Sequence, residues 1–157
     1  MKNKAVCFTG HREIPKGDIK SIENKLDIVV KRLILEGYKD FYAGGADGFD
    51  TLAALSVIRA MEYDMSVNLH LAFPYRKSPP ENMEKRLMHD KIMNMASTVT
   101  YISEKYRPTC FHERNRFMVD NSEVCVFYLT KATGGTYYTA KYASDNGKKV
   151  INILRTV

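Results

Sequence analysis

The sequence has no tryptophan, only three cysteines and five prolines. It also has no apolar run near the roughly 18–20 residues that a membrane helix needs. Each absence removes a class of protein. Three thiols, Cys7, Cys110 and Cys125, are an odd number without close pairing, which argues against a disulfide scaffold. No Cys-x-x-Cys or His-Glu-x-x-His spacing occurs, so no metal site is expected. The Walker loop and the Gly-x-Gly-x-x-Gly fingerprint are missing too, and their mechanisms with them. The basic start, Lys2 and Lys4, leads into an apolar stretch from Ala5 to Phe8 that is too short for a signal peptide. We read that stretch as a strand, and expect a cytoplasmic chain with no membrane partner.

What is present suits one globular domain. The 157 residues are 45% hydrophobic, enough for one core. Lysine and arginine exceed aspartate and glutamate by 24 to 18, a formal charge of +6. That favours an anionic partner over a cationic one. The basic residues are dispersed rather than gathered in a stripe, which weakens a nucleic-acid reading.

Strand and helix signals alternate along the whole chain. Ala5–Thr9 reads as a buried strand. Asp18 can cap a helix to about Glu36, with Ile19, Ile22, Leu26, Val29 and Leu33 on one face. Gly37 supplies its stop. Strand Lys39–Ala43 is followed by a helix from about Gly48 to Tyr63, with Leu52, Leu55 or Ser56, and Ile58 toward the sheet. Strand Ser66–Phe73 precedes a charged amphipathic helix from about Glu81 to Ala96. Strand Thr98–Tyr101, helix Phe111–Asn121, strand Glu123–Tyr128, helix Gly135–Asn146 and strand Lys149–Leu154 complete the order. This alternation predicts an α/β, Rossmann-like three-layer sandwich over residues 1–157, its sheet mostly parallel with about six strands and helices on both faces.

In such sheets ligands sit outside the carboxyl ends of the strands. Three turns there carry chemistry. Gly10-His11-Arg12 follows the first strand; the glycine permits close approach and Arg12 offers a fork that matches phosphate. Gly44-Gly45-Ala46-Asp47-Gly48-Phe49-Asp50 joins the second strand to the second helix. Its glycines can free backbone N–H groups for an anion at a helix N-terminus. Asp47 and Asp50 suit ribose hydroxyls, or alternatively cap the helix. Gly134-Gly135-Thr136, with Thr139, is a second such nest. Between them His112-Glu113-Arg114-Asn115-Arg116 opens a helix. Its arginines oppose the positive end of the helix dipole, a cost that an anionic ligand offsets. Tyr75, Tyr137 and Tyr138 are candidate stacking groups, and Cys110 with His112 a weaker nucleophile pair lacking a third member.

The order and spacing of these motifs resembles the SLOG superfamily over nearly the whole chain, closest to the YpsA-like proteins. That superfamily includes the DNA-processing protein DprA (Smf) and the Lonely Guy phosphoribohydrolases. The resemblance implies a Rossmann-like fold and a pocket for a nucleotide-related ligand. On this reading Gly44, Gly45, Gly134, Gly135 and Thr136 cradle phosphate. Arg12 and Arg114 pair its charge, while Asp47, Asp50 and Asn115 fix sugar or base. Mononucleotides, NAD and ADP-ribose are candidate ligands, and no cofactor is required. Similarity to the Lonely Guy enzymes implies an alternative, N-glycosidic cleavage by Glu113 and Arg114. The glutamate those enzymes carry after the second Gly-Gly motif is missing; Tyr137, Tyr138, Thr139 and Ala140 stand there instead. Similarity to DprA implies single-stranded nucleic acid as a further alternative, and homodimers follow by analogy.

Overall fold

The computed structural model describes residues 4–155. Six strands form one sheet: β1 (Ala5–Gly10), β2 (Asp40–Ala43), β3 (Asn68–Phe73), β4 (Thr98–Tyr101), β5 (Val124–Tyr128) and β6 (Lys149–Asn152). Their order is β4-β3-β2-β1-β5-β6, and every pairing is parallel. The expected Rossmann-like architecture is therefore present. Five helices alternate with the strands: α1 (Ile19–Leu35), α2 (Phe49–Ala60), α3 (Met83–Met95), α4 (Cys110–Asp120) and α5 (Gly135–Asp145).

The two faces of β1 divide the core. Val6 and Phe8 point into a large cluster with α1, α2, Ile92 of α3 and Ile153. Cys7 points the other way, with Cys125, into a smaller cluster with Met118 and Val119 of α4 and Ala143 of α5. Three helices thus cover one face and two cover the other. The second face is left partly bare over β2, β3 and β4, where the alternating strand residues are polar. There His70 bridges Asp40 at 2.8 Å and Thr98 at 2.7 Å, and its ring stacks on Tyr42.

Several boundaries differ from the sequence expectation. Asp18 makes no side-chain cap, because a 3-10 turn, Lys16–Asp18, already leads into α1. Asn82 caps α3 instead of Glu81 opening it; its side chain accepts from the Lys85 N–H at 3.1 Å. In α2 the fully buried positions are Phe49, Ala53 and Val57, while Leu52 and Leu55 are half-buried. Small residues face the sheet there because helix and sheet pack closely. Gly37 ends α1 with φ 105°, as its position implied.

The strand order reverses between β1 and β5. The connection leaving β1 covers one face and the one leaving β5 covers the other, so a crevice opens at their carboxyl ends. The three glycine turns all lie along this rim.

Candidate functional site

The first turn is fastened to both neighbours. A Cβ on Gly10 would lie 2.4 Å from the Phe49 ring, so no side chain fits there. The His11 carbonyl accepts the Phe49 N–H at 3.1 Å, tying β1 to the start of α2. The His11 Nε2 accepts the Thr130 N–H at 3.0 Å, tying the same turn to the segment after β5. Burial lowers the His11 pKa from its ordinary value, and nearby Lys131 lowers it further. A neutral imidazole is what that acceptor role requires. His11 therefore braces the crevice. Arg12 is exposed, and its guanidinium lies 5.0 Å from the centre of the Phe111 ring. Among the described residues it has no hydrogen bond or ion pair.

At the first Gly-Gly turn the space a side chain would take at each glycine is already filled, although Gly45 and Gly48 border the larger hollow. Gly45 and Gly48 have φ of 76° and 74°. A Cβ on Gly45 would meet the Phe73 ring at 2.3 Å, and one on Gly48 the Arg12 carbonyl at 2.2 Å. One on Gly44 would sit 2.7 Å from both the Arg114 guanidinium and the Asp50 carboxylate. These two buried groups flank the turn. Arg114 donates to the Gly44 carbonyl, to the Ala72 carbonyl at 3.4 Å, and through Nε to Asn115 Oδ1 at 2.8 Å. Asp50 accepts the Ala46 N–H at 3.2 Å. Burial pushes the Asp50 pKa up; the Arg114 charge, the Ala46 hydrogen bond and Arg12 oppose that rise. Burial lowers the Arg114 pKa, with Asp50 opposing.

This geometry revises the sequence expectation for the turn. Within the turn expected to cradle phosphate, the Ala46 N–H already meets the protein's own carboxylate. Arg114 is engaged with Asn115 Oδ1 and with two backbone carbonyls, while Asn115 borders the smaller hollow. Asp47 is exposed and accepts from Lys85 at 3.2 Å; it does not cap α2, whose N-cap is Gly48. Glu113 accepts from Arg107 at 2.8 Å and from Thr109 at 3.2 Å. Of the candidate hydrolytic pair, Arg114 is buried against the first turn, while Glu113 makes its contacts at the surface. Cys110 is fully buried while His112 is exposed, so that pair is not assembled either.

The second Gly-Gly turn is open. A Cβ on Gly134 or Gly135 would meet nothing within 4 Å, and both residues are exposed. Gly134 is the N-cap of α5, with φ 90° and no side-chain cap. The α5 N-terminus therefore keeps the partial positive charge of its first turn toward solvent. Thr136 and Thr139 are buried, and the Thr139 hydroxyl donates to the Gly135 carbonyl at 2.8 Å. Tyr138 is 60% exposed and lies edge-on to Tyr137.

Two hollows border the rim. One, of about 410 Å³, lies between α4 and α5, against His112, Asn115, Arg116, Tyr138 and Tyr142. The other, of about 840 Å³, lies between α2 and α3 and opens past Arg12, Gly45 and Gly48. Both glycine turns share one edge of the sheet, linked through His11. The larger space borders the first turn, at Gly45 and Gly48, and the smaller borders α5 beyond the second turn, at Tyr138 and Thr139. Sequence reasoning missed Lys16, Lys85 and His89, which line the larger space. It also missed a ring cluster above α4: Tyr75, Tyr106 and Phe111 pack edge to face at 5.7–6.5 Å. Of the three the sequence points to Tyr75 alone: Tyr106 lies in a loop, where aromatics carry no periodic signal, and Phe111 is in the first turn of α4.

Known structures share this fold. DNA processing protein A (DprA) from Streptococcus pneumoniae superposes with a TM-score of 0.66 at 20% identity. The match covers 93% of this chain but 48% of that one, so this chain spans about half of that relative's length. DprA from Helicobacter pylori, described as binding single-stranded DNA, gives 0.65 at 15% identity, covering 95% and 64%. The structural-genomics target TM1055 gives 0.59 at 18% identity, covering 96% and 72%. Among curated proteins nothing matches significantly. The family model YpsA, described as the YspA SLOG family, matches residues 7–155, and with the motif order, the parallel sheet and the DprA neighbours this establishes that the chain belongs to that family of the SLOG superfamily.

Proposed function

We propose that this chain binds a nucleotide or nucleotide-derived ligand at the carboxyl rim, with Arg12 as the anchor for its charge. The observation that carries this reading is the state of Arg12. It is a guanidinium without an ion-pair partner, at the mouth of the larger hollow and beside the strand-order reversal. An unpaired planar fork at such a place suits phosphate. The uncapped α5 N-terminus at Gly134 and Gly135 supplies a second anion-favouring point on the same rim. The buried Asp50 and Arg114 act as the frame that holds the first turn in shape.

The test is thermal stabilisation by mononucleotides, NAD and ADP-ribose. A ligand at about 100 times its dissociation constant adds roughly 2.7 kcal/mol. Stabilisation that disappears in Arg12→Ala supports the reading; no shift with any of the three classes refutes it.

A second reading, single-stranded nucleic acid, draws on the ring cluster. Tyr106 is 61% exposed, and Arg12 and Arg76 lie over neighbouring rings, Phe111 and Tyr101. Exposed aromatics beside cations are the elements of a stacking platform. Oligonucleotide binding that weakens steeply with salt, and falls in Tyr106→Ala, would select this reading.

A further inference from the structure

The larger hollow has a composition that phosphate recognition alone does not explain. Its mouth is charged, but its depth is apolar: Ile14, Leu52, Leu71, Phe73, Ile92 and Met93. Phe73 is held by stacking on Tyr101, with ring centres 5.4 Å apart. At about 840 Å³ the space is in the range of small-molecule sites. Its outer wall is α3, whose only buried residue is Ile92. A wall fixed at so few points can shift, and Met88 and Met93 on it are adaptable side chains.

The charges at the mouth sort themselves. Asp47 is matched by Lys85 at 3.2 Å, and Asp50 is buried with Arg114 opposing its charge. That leaves Arg12, Lys16 and Glu13 at the opening, an excess of one positive charge. Water in the depth of this space would meet mostly apolar groups, while an anion at the opening would meet the Arg12 and Lys16 charges, offset in part by Glu13.

We infer that this space receives the apolar arm of an anionic amphiphile: a phosphate ester with an alkyl or aryl substituent, its head at Arg12 and Lys16 and its arm between α2 and α3. For its anionic end this rests on the rim reading above, and it adds the class of substituent. A nucleotide ligand on this view carries an apolar group beyond its phosphate.

The experiment titrates methyl, butyl and octyl phosphate by calorimetry against the full chain, Arg12→Ala, and two variants that fill the space, Leu52→Trp and Met88→Trp. Met88 is 37% exposed, so its replacement keeps a folded control if Leu52→Trp fails to fold. Each methylene taken out of water is worth about fourfold in affinity. The expected result is octyl phosphate binding at least about 100-fold more tightly than methyl phosphate, well inside that bound. The gain should shrink in the filled variants, and Arg12→Ala should weaken all three esters by a similar factor.

A flat series in the unmodified chain overturns the inference. So does a length-dependent gain that survives both fillings, because the arm then lies elsewhere. Nucleotides that stabilise through Arg12 alongside a flat alkyl series leave the rim reading standing while this inference falls. A length- and Arg12-dependent series without any nucleotide effect does the reverse.

Discussion

The two Gly-Gly turns look alike in sequence and differ in kind. Each follows a strand and precedes a helix on the same rim. At the first, every glycine lacks a side chain because something else already occupies the space: Arg114 and Asp50 at Gly44, Phe73 at Gly45, and the Arg12 carbonyl at Gly48. At the second, the space beside Gly134 and Gly135 is empty. A glycine can be required by crowding within the fold or by the approach of something outside it. The motif alone does not say which. The first turn carries its own anion, Asp50, and its own guanidinium, Arg114. The second leaves a helix N-terminus toward solvent.

The largest expected contrast comes from filling these positions. Gly48→Ala combines a strained positive φ, about 1–3 kcal/mol, with a clash against backbone, about 1–3 kcal/mol more. It should therefore lose about 3–5 kcal/mol in urea denaturation. Gly45→Ala should behave similarly, against the Phe73 ring. A loss below about 1 kcal/mol at both would mean that the first turn is not packed as described.

Removing the frame should come next. Arg114→Ala leaves two buried carbonyls and the Asp50 carboxylate without their donor or opposing charge. It should cost about 3 kcal/mol. Arg114→Lys should not recover the loss, because an ammonium lacks the fork that reaches Gly44 and Asn115 together. Full recovery by lysine would show that charge alone matters there.

A smaller effect should follow pH. The folded-state pKa of His11 lies below its ordinary 6.5, so the folded chain prefers the neutral ring. Its contribution is complete above the unfolded value and is lost as pH falls through the folded one. Hydrogen exchange at the Thr130 amide should accelerate as pH drops below 6.5, after correction for intrinsic rates, and lose that dependence in His11→Gln. Last, Gly135→Ala should change stability by no more than about 0.5 kcal/mol. Were it to lose as much as Gly48→Ala, the difference between the turns would disappear.

Much of the fold was legible in the sequence. Apolar spacing located α1, and the β-branched and aromatic runs located the strands, because burying one face leaves a periodic trace. Boundaries were less legible. The turn at Lys16–Asp18 displaced Asp18 from its cap, and Asn82 took that role at α3; a cap depends on backbone direction as well as residue type. In the site, Arg12 stood out and is exposed, without a hydrogen bond or ion pair among the described residues. Arg114 stood out equally, yet it is buried and holds Gly44. An arginine near a helix start looks the same in sequence whether it faces a ligand or a carbonyl 70 residues away.

The sequence by itself determined the alternation of strands and helices, the rim on which the turns lie, and the family. These follow from local periodicity and from residue types at fixed spacing, which survive without knowledge of distant neighbours. Only the tertiary structure decided which glycines are crowded, that Arg114 is buried while Arg12 and Arg116 are exposed, and where hollows open beside the turns. Those are questions of what meets what across the sheet, and long-range packing answers them by filling space that no single segment of chain encloses.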